Sequence, residues 1–423
     1  MKKEKTIIII GGGAAGMMAA YFAKASAHNV KVILLEKNSY FGVKVIISGG
    51  GRCNVTTGIT DFKKILENYP RGAKFLKTAM YGFSPRAVMD WFELRGVKLK
   101  IEEDLRVFPV SNNGKEVVGA LEKALNEKGV EIKCNLQIKE VKKSQNGFEI
   151  VSQNGEIFCG NSLIITTGGN TYHQTGSTGD GYDFAKVFGH TITKLTASLG
   201  AVKLQENFCS QLAGLSFGNV GLSFLEYETM KIKYRYQGGI LFTHQGISGP
   251  GVFALMAKAA YEKFLIGSKL KIDFYPLVTS IDLGNQFLKS LKLNRGKLFK
   301  NVLGYFVPQR LADLFIETEC LIEKGKDLNL INASEVSKNL RKKVVYLLKN
   351  WELVIQERIV GDEFVTAGGV NLDEVDSKTM QSKLVPGLFF AGEILDVDGF
   401  TGGFNLQAAW ACGALAGKSA NQF

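Results

Sequence analysis

After a charged start over residues 1–5 the chain enters an uninterrupted apolar stretch. Thr6–Ile10 is a β-branched run with no polar alternation, which predicts a strand buried on both faces. Gly11–Gly13 predict a tight turn, Ala14–Ala27 a helix rich in small residues, and Val30–Leu35 the next buried strand. Residues 61–95 and Val118–Lys128 carry helical periodicity. Val130–Lys133, Gln137–Lys142, Phe148–Gln153 and Glu156–Cys159 predict short antiparallel strands, and Leu163–Thr167 a further buried strand that ends at Gly168-Gly169. From about Thr196 the texture changes: Val202–Leu204, Gly221–Tyr227 and Lys231–Tyr236 predict a small β unit. Residues 282–349 are rich in Lys and Leu, with helical period and few glycines. Strand-like patterning returns near Trp351, and Leu388–Gly417 is punctuated by glycine like the start.

This order predicts an α/β, Rossmann-like nucleotide-binding domain built from both ends of the chain and interrupted by an inserted module. The expected boundaries are 1–195 for its first part, 196–281 for an inserted β subdomain, 282–349 for a helical subdomain and 350–423 for the return. Composition adds two facts. Glycine makes up 48 of 423 residues, well above the usual ~7%, and with only seven prolines those glycines must serve turns and close contacts. Six cysteines lie far apart with no C-x-x-C pair, which argues against a zinc site or a disulfide framework and for a reduced, cytoplasmic setting. No apolar stretch reaches the ~18 residues of a membrane span. Lys2, Lys3 and Lys5 ahead of an apolar run resemble a signal peptide, but three glycines break the run and give it a better use.

That use is a dinucleotide site. Gly11-x-Gly13-x-x-Gly16 follows a predicted strand and opens a helix, and Glu36 follows at the end of the next strand. The first glycine permits the turn, the second lets backbone approach a pyrophosphate, and the third lets helix and strand pack closely. The helix start at Ala14 and Ala15 offers free N–H groups to phosphate, and Glu36 can accept from a ribose hydroxyl. This fingerprint alone does not separate NAD from FAD. The C-terminal segment favours FAD: a strand ending in Gly392-Glu393 can hold ribitol hydroxyls, and N–H groups at Gly403–Leu406 can face the electron-rich edge of a flavin. Gly168, where another strand ends, is a further candidate contact.

Five runs extend the picture: Ser48-Gly49-Gly50-Gly51-Arg52-Cys53-Asn54, Gln174 through Tyr182, Leu241-Phe242-Thr243-His244 with Gly246 through Pro250, Val365 through Val370, and Gly392 through Gln407. Together they resemble the YhiN/BaiN-like family of FAD-dependent oxidoreductases, the bacterial group that includes aminoacetone oxidase. The resemblance runs in order over nearly the whole chain. It implies a glutathione-reductase-like FAD domain with inserted β-barrel and helical subdomains. It also implies contacts to the adenosine and phosphate end from Ala15, Glu36 and Lys37, with Ile138 at the adenine. Lys44, Ser48, Gly49, Gly50, Gly51, Arg52 and Asn54 would run beside pyrophosphate and flavin, and Asn405 and Leu406 would touch the isoalloxazine. Two positions depart from the family pattern: Val43 stands where an arginine is usual, and His173 where a proline is common.

Only one Gly-x-Gly-x-x-Gly is present, so NADH or NADPH, if used as electron donor, is expected to visit the flavin transiently. The resemblance implies three kinds of reaction: oxidation of an amine, reduction of steroid-like enones, and reduction of uridine in ribosomal RNA. A flavin-binding protein without turnover is the non-catalytic alternative. Charge weighs toward RNA. Residues 196–350 hold 21 Lys and Arg against 12 Asp and Glu, most of the net +12. Lys289, Lys292, Arg295, Lys297, Lys300 and Arg310 lie in a stretch without acids, as do Lys338, Arg341, Lys342, Lys343 and Lys349. A phosphate backbone explains such a concentration, and so does a solvated lysine-rich surface. For proton transfer, Cys53 and His244 are the candidates, with His173 a further one, and Arg52 is the candidate to stabilise charge on a substrate carbonyl. Each also has a plainer reading: Cys53 as packing, the histidines as structural hydrogen bonders, and Asp180 and Asp396 as loop fasteners. No metal site is expected.

Overall fold

The computed structural model describes residues 5–25, 29–262, 267–318, 320–359 and 365–423. The chain divides into two compact units, Met1–Leu199 with Glu363–Phe423, and Gly200–Asp362.

The first unit is built on a five-stranded parallel sheet. Its centre is β1 (Lys5–Ile10), flanked by β2 (Val30–Leu35) and by Ser162–Ile165, with Glu131–Lys133 beyond β2 and Leu388–Phe390 at the other edge. Register is set by the β-branched runs: Ile7 lies beside Val32 and Ile9 beside Ile164, all fully buried. The expected antiparallel strand at Val130–Lys133 instead joins this sheet in parallel, pairing with β2. The helix Gly114–Glu127 precedes it and returns the chain in the same direction, as a parallel neighbour requires. The other three short strands do form an antiparallel sheet of Ile138–Ser144, Gly147–Ser152 and Ile157–Gly160. Residues 61–95 fold as three separate short helices, Phe62–Leu66, Lys77–Gly82 and Pro85–Glu93. Pro85 sits in the first turn of the last of these, where its missing N–H costs nothing.

Between β1 and β2 runs α1 (Ala14–Ala25); the expected extension to Ala27 lies outside the described residues. Its alanines have a tertiary reason. The C-terminal helix Phe404–Gln422 crosses it at Gly413 and Gly417, where a Cβ would stand 2.3 Å from the Ala15 carbonyl oxygen and 2.2 Å from that of Ala19. Backbone meets backbone there, so only small residues allow the approach. The last helix thereby brings its own N-terminus to the sheet end where the Gly11–Gly13 turn lies.

The second unit is a closed barrel in the order Val202–Leu204, Gly246–Ser248, Ile232–Phe242, Ser216–Leu225, Lys269–Asp273, Trp351–Arg358. Between its last two strands the chain leaves to form helices, among them Ser280–Leu293, Gln309–Glu317 and Lys338–Lys349. One hydrophobic core serves barrel and helices together: Trp351 packs edge-on to Phe315 and face-on to Phe274 and Phe208. Lys349 pins the last helix to the barrel, with an ion pair to Asp273 at 2.7 Å and hydrogen bonds to the Tyr275 and Val278 carbonyls.

Candidate functional site

The site grows from the turn after β1. Gly11 donates to the Leu35 carbonyl at 2.8 Å, Gly12 donates to Glu36 Oε2 at 2.6 Å, and Gly42 donates to the Gly12 carbonyl at 2.8 Å. The turn, the end of β2 and the start of α2 (Val43–Ile47) are thus one hydrogen-bonded piece. Within it the glycines have different tasks. A Cβ on Gly16 would stand 1.9 Å from the Gly11 carbonyl oxygen, so Gly16 is needed for packing. A Cβ on Gly13 would meet nothing within 4 Å, so Gly13 keeps a space open. Glu36 is buried, with its two oxygens turned to the Gly12 and Asn38 N–H groups, and each oxygen keeps a second lone pair for a hydroxyl. Asn135 donates to the Asn38 carbonyl and Leu136 to that of Glu36, both at 2.9 Å, which carries the buried Ile138 to the same edge.

The Ser48–Asn54 loop follows α2. Gly49, Gly50 and Gly51 take φ of +59°, +71° and +84°, three left-handed residues in succession that only glycine adopts without strain. A Cβ on Gly50 or Gly51 would again meet nothing within 4 Å. In the amide orientation that satisfies its neighbours, Asn54 accepts from Gly403 N–H at 2.9 Å and so ties this loop to the start of the C-terminal helix. That helix has no side-chain cap, and its first-turn amides are free to face an electron-rich group. Gly392 lies against Ala15 of α1, where a Cβ would stand 2.8 Å from the Ala15 methyl. Gly168 takes φ +80° beside Ser177. The open spaces, the buried acid, the uncapped helix and the glycine loop form a cradle that fits a flavin dinucleotide.

Several charged candidates have protein partners. Lys44 pairs with Glu393 at 2.8 Å, while Thr366 N–H donates to the other Glu393 oxygen. Lys37 pairs with Asp180 at 2.8 Å and donates to Thr178, which fastens the Gln174–Tyr182 segment. Arg52 pairs with Glu102 at 2.7 Å and lies 3.8 Å over the Phe108 ring, so its charge is compensated. The Asn405 side chain holds the loop before it, accepting from Gly399 N–H and donating to Gly399 O, both at 2.8 Å. Its backbone N–H, with that of Leu406, belongs to the uncapped first turn.

The proton-transfer candidates differ in exposure. Cys53 is fully buried, and burial pushes its thiol up to about 12 against a hydrogen bond from Ser48. This placement matches packing, and Cys53→Ser is expected to keep turnover within about twofold, since a group out of reach of substrate transfers no proton to it. A loss of kcat above a hundredfold with normal flavin content would refute that. His244 is exposed in the turn between two barrel strands of the second unit. His173 is exposed beside Asn170 in the first.

Some residues of the site were beyond sequence reasoning. Arg71 grips Asp398 through Nε at 2.5 Å and through a second guanidinium nitrogen, and Ser198 donates to the same carboxylate. Asp398 is fully buried, and burial holds its pKa above the usual carboxylate value despite Arg71. Gln407 accepts from Thr56 Oγ1 at 2.6 Å and donates to the Phe83 carbonyl; Tyr69 donates to the Phe404 carbonyl. These bonds hold the C-terminal helix start in place. Their partners lie hundreds of residues apart, and no local pattern marks them.

Fold and cradle together define a Rossmann-type flavoprotein. Residues 5–419 match the family model described as HI0933-like protein Rossmann domain, and the chain belongs to this family. It is an FAD-dependent oxidoreductase. The 3-dehydro-bile acid delta(4,6)-reductase of Clostridium scindens is 29% identical over 406 residues, 95% of each chain. The ribosomal RNA dihydrouridine synthase of Escherichia coli is 28% identical over 92% of this chain and 93% of its own, and that of Haemophilus influenzae 28% identical over 90% of each. Among solved structures, the FrdA chain of Escherichia coli quinol fumarate reductase superposes with a TM-score of 0.51 at 15% identity, covering 99% of this chain and 70% of its own. That likeness concerns the fold. Among the described residues no helix is long and apolar enough to cross a membrane.

Proposed function

We propose that this protein reduces the activated C=C bond of uridine in ribosomal RNA, forming dihydrouridine. FAD, once bound and reduced by its electron donor, would supply hydride from N5 to one carbon of the double bond, and a proton drawn from solvent would complete the neighbouring carbon. The chain's own residues would hold the cofactor. Gly13, Ala14 and Ala15 would present N–H groups to the pyrophosphate, and Glu36 would receive the ribose. Glu393, oriented by Lys44 and Thr366, would receive the ribitol. The first turn of the C-terminal helix would stabilise the negative charge that gathers on the flavin on reduction. Relatives named for two different substrates are both reductases of a double bond conjugated to a carbonyl, which supports this reaction class.

The observation that supports RNA is the state of the positive charge in the second unit. Among the described residues, Lys289, Lys292, Arg295, Lys297, Lys300, Arg310, Lys338, Arg341, Lys342 and Lys343 make no ion pair. Lys289, Lys292, Arg295, Lys297, Lys338, Lys342 and Lys343 are exposed. Arg310 and Lys343 donate to backbone carbonyls, and Lys349 is engaged with Asp273. Exposed cations without acidic partners favour RNA binding because they neutralise phosphates and release the counterions condensed on them.

Two experiments test the reading. Ribosomal RNA from a strain lacking the protein should lose dihydrouridine at a discrete position; full dihydrouridine content would sink it. Lys292→Glu with Lys342→Glu is expected to weaken ribosomal RNA binding by roughly tenfold or more and to flatten its salt dependence. Anaerobic stopped-flow with NADH and NADPH then identifies the donor. A steroid-like enone as substrate is the second reading, favoured by the bile acid reductase relative. Flavin reoxidation by such an enone, with no response to RNA, would establish it. Action on ribosomal RNA goes with a cytoplasmic location.

A further inference from the structure

The first unit carries an aromatic pair that neither the core nor the flavin cradle uses. Phe62, in the helix Phe62–Leu66, and Tyr81, in the helix Lys77–Gly82, stack with ring centroids 3.7 Å apart and planes 18° from parallel. Phe62 is half-buried beneath, whereas Tyr81 is 72% exposed. One face of the Tyr81 ring is therefore covered by Phe62, and the ring stands out into water. Gly82 beside it adds no side chain, and a Cβ there would meet nothing within 4 Å.

The exposed charges of this stretch are mainly positive, with Glu67 the exposed acid that, among the described residues, no ion pair or capping bond engages. Lys77 lies one helical turn before Tyr81 and shares its face. Lys63, Lys64 and Lys74 are exposed on the same stretch, and among the described residues none of the four lysines makes an ion pair. The acids of the stretch are Asp61 and Glu67. Asp61 is engaged in capping, accepting from the Lys63 and Lys64 N–H groups at 2.9 and 3.2 Å. Arg71 is withdrawn into its pair with Asp398.

An open aromatic face on a segment rich in unpaired exposed cations, one of them a helical turn away, suits a single-stranded nucleic acid. A base gains by stacking whatever its identity, and the phosphates on either side meet ammonium groups. We propose that Tyr81, backed by Phe62, is a stacking platform for an unpaired base of the RNA substrate, and that Lys63, Lys64, Lys74 and Lys77 hold the neighbouring phosphates. This inference rests on the RNA reading above and adds to it a second contact, in the first unit, that takes single strand. A duplex, with its bases already stacked on one another, offers no free face to the ring.

The test uses the FAD-loaded protein and two fluorescein-labelled probes, a short oligouridine and a duplex RNA of matched length, titrated by anisotropy at several salt concentrations. Tyr81→Ala is expected to weaken oligouridine binding by about tenfold and duplex binding by less than about twofold, within the range for loss of one base–aromatic stack. Tyr81→Phe should stay within about twofold of the parent for both probes, because it keeps the ring. Lys77→Ala should lower the salt slope for oligouridine by about 0.7 and leave that for the duplex unchanged. Flavin absorbance per protein confirms that each variant is folded. Unchanged oligouridine affinity in Tyr81→Ala, with the parent still binding both RNAs, overturns the platform and leaves the RNA reading intact. Equal losses for single strand and duplex also overturn the platform. Failure of the parent protein to bind either RNA overturns both.

Discussion

Gly13→Ala is expected to leave the folded protein as stable as the parent, or slightly more stable, and yet to be purified without its flavin. The added methyl meets no protein atom within 4 Å, and Gly13 is not among the residues held at positive φ. Replacing glycine at such a position commonly gains about 0.4–1 kcal/mol by restricting the unfolded chain. The methyl would nevertheless enter the open space in which we propose that backbone N–H groups meet the pyrophosphate. FAD affinity should fall by roughly 100-fold, equivalent to about 2.7 kcal/mol. The ratio of flavin to protein absorbance, with thermal unfolding of the flavin-free form, separates the two effects. Gly16→Ala is the contrast. Its methyl would stand 1.9 Å from a backbone oxygen, so it should lose stability as well as flavin. If Gly13→Ala retains FAD with unchanged affinity, the turn after β1 does not hold the pyrophosphate.

Arg71→Met should be the most destabilising single change among the charged residues, by about 3–5 kcal/mol near pH 8, because it leaves the buried Asp398 carboxylate without its cation. The loss should shrink as pH falls. Burial already raises the folded pKa of Asp398, and Arg71 opposes that rise. Without Arg71 the folded pKa climbs further above the unfolded value. A carboxyl group raised in this way contributes stability that is full below its unfolded pKa and is lost as pH rises through its folded pKa. The urea midpoint of Arg71→Met should therefore fall from pH 5 to pH 8 more steeply than that of the parent. Asp398→Asn removes the titrating group and should remove that trend. A pH-independent loss in Arg71→Met would show that packing, rather than charge, is what Arg71 supplies.

The backbone of the turn after β1 and of the Ser48–Gly51 loop is legible in the sequence because it is local geometry. Gly11, Gly13 and Gly16 each answer a demand of a turn only a few residues long. Ser48–Gly51 likewise declares itself through consecutive glycines that must turn left-handed. The charged contacts were less legible. Lys37, Lys44 and Arg52 read as cations free to meet a cofactor, yet each has an acidic partner far along the chain, at Asp180, Glu393 and Glu102. Sequence shows a charge but not what neutralises it. Cys53 shows the same limit: its neighbours point to the flavin loop, whereas its complete burial follows from the fold around it.

By itself, then, the sequence determined the strand–turn–helix that opens the chain, the acid at the end of β2, and the concentration of lysines in the middle. All are patterns of a few neighbouring residues or sums over a segment. Tertiary structure alone decided that Glu131–Lys133 runs parallel beside β2, and that Gly413 and Gly417 seat the last helix against α1. It alone joined Arg71 to Asp398, 327 residues away, and set Tyr81 face to face with Phe62. Each of these depends on which distant surfaces the folding chain brings within a few ångströms. A one-dimensional pattern records the residues that can make such contacts, and only the packed backbone selects which of them do.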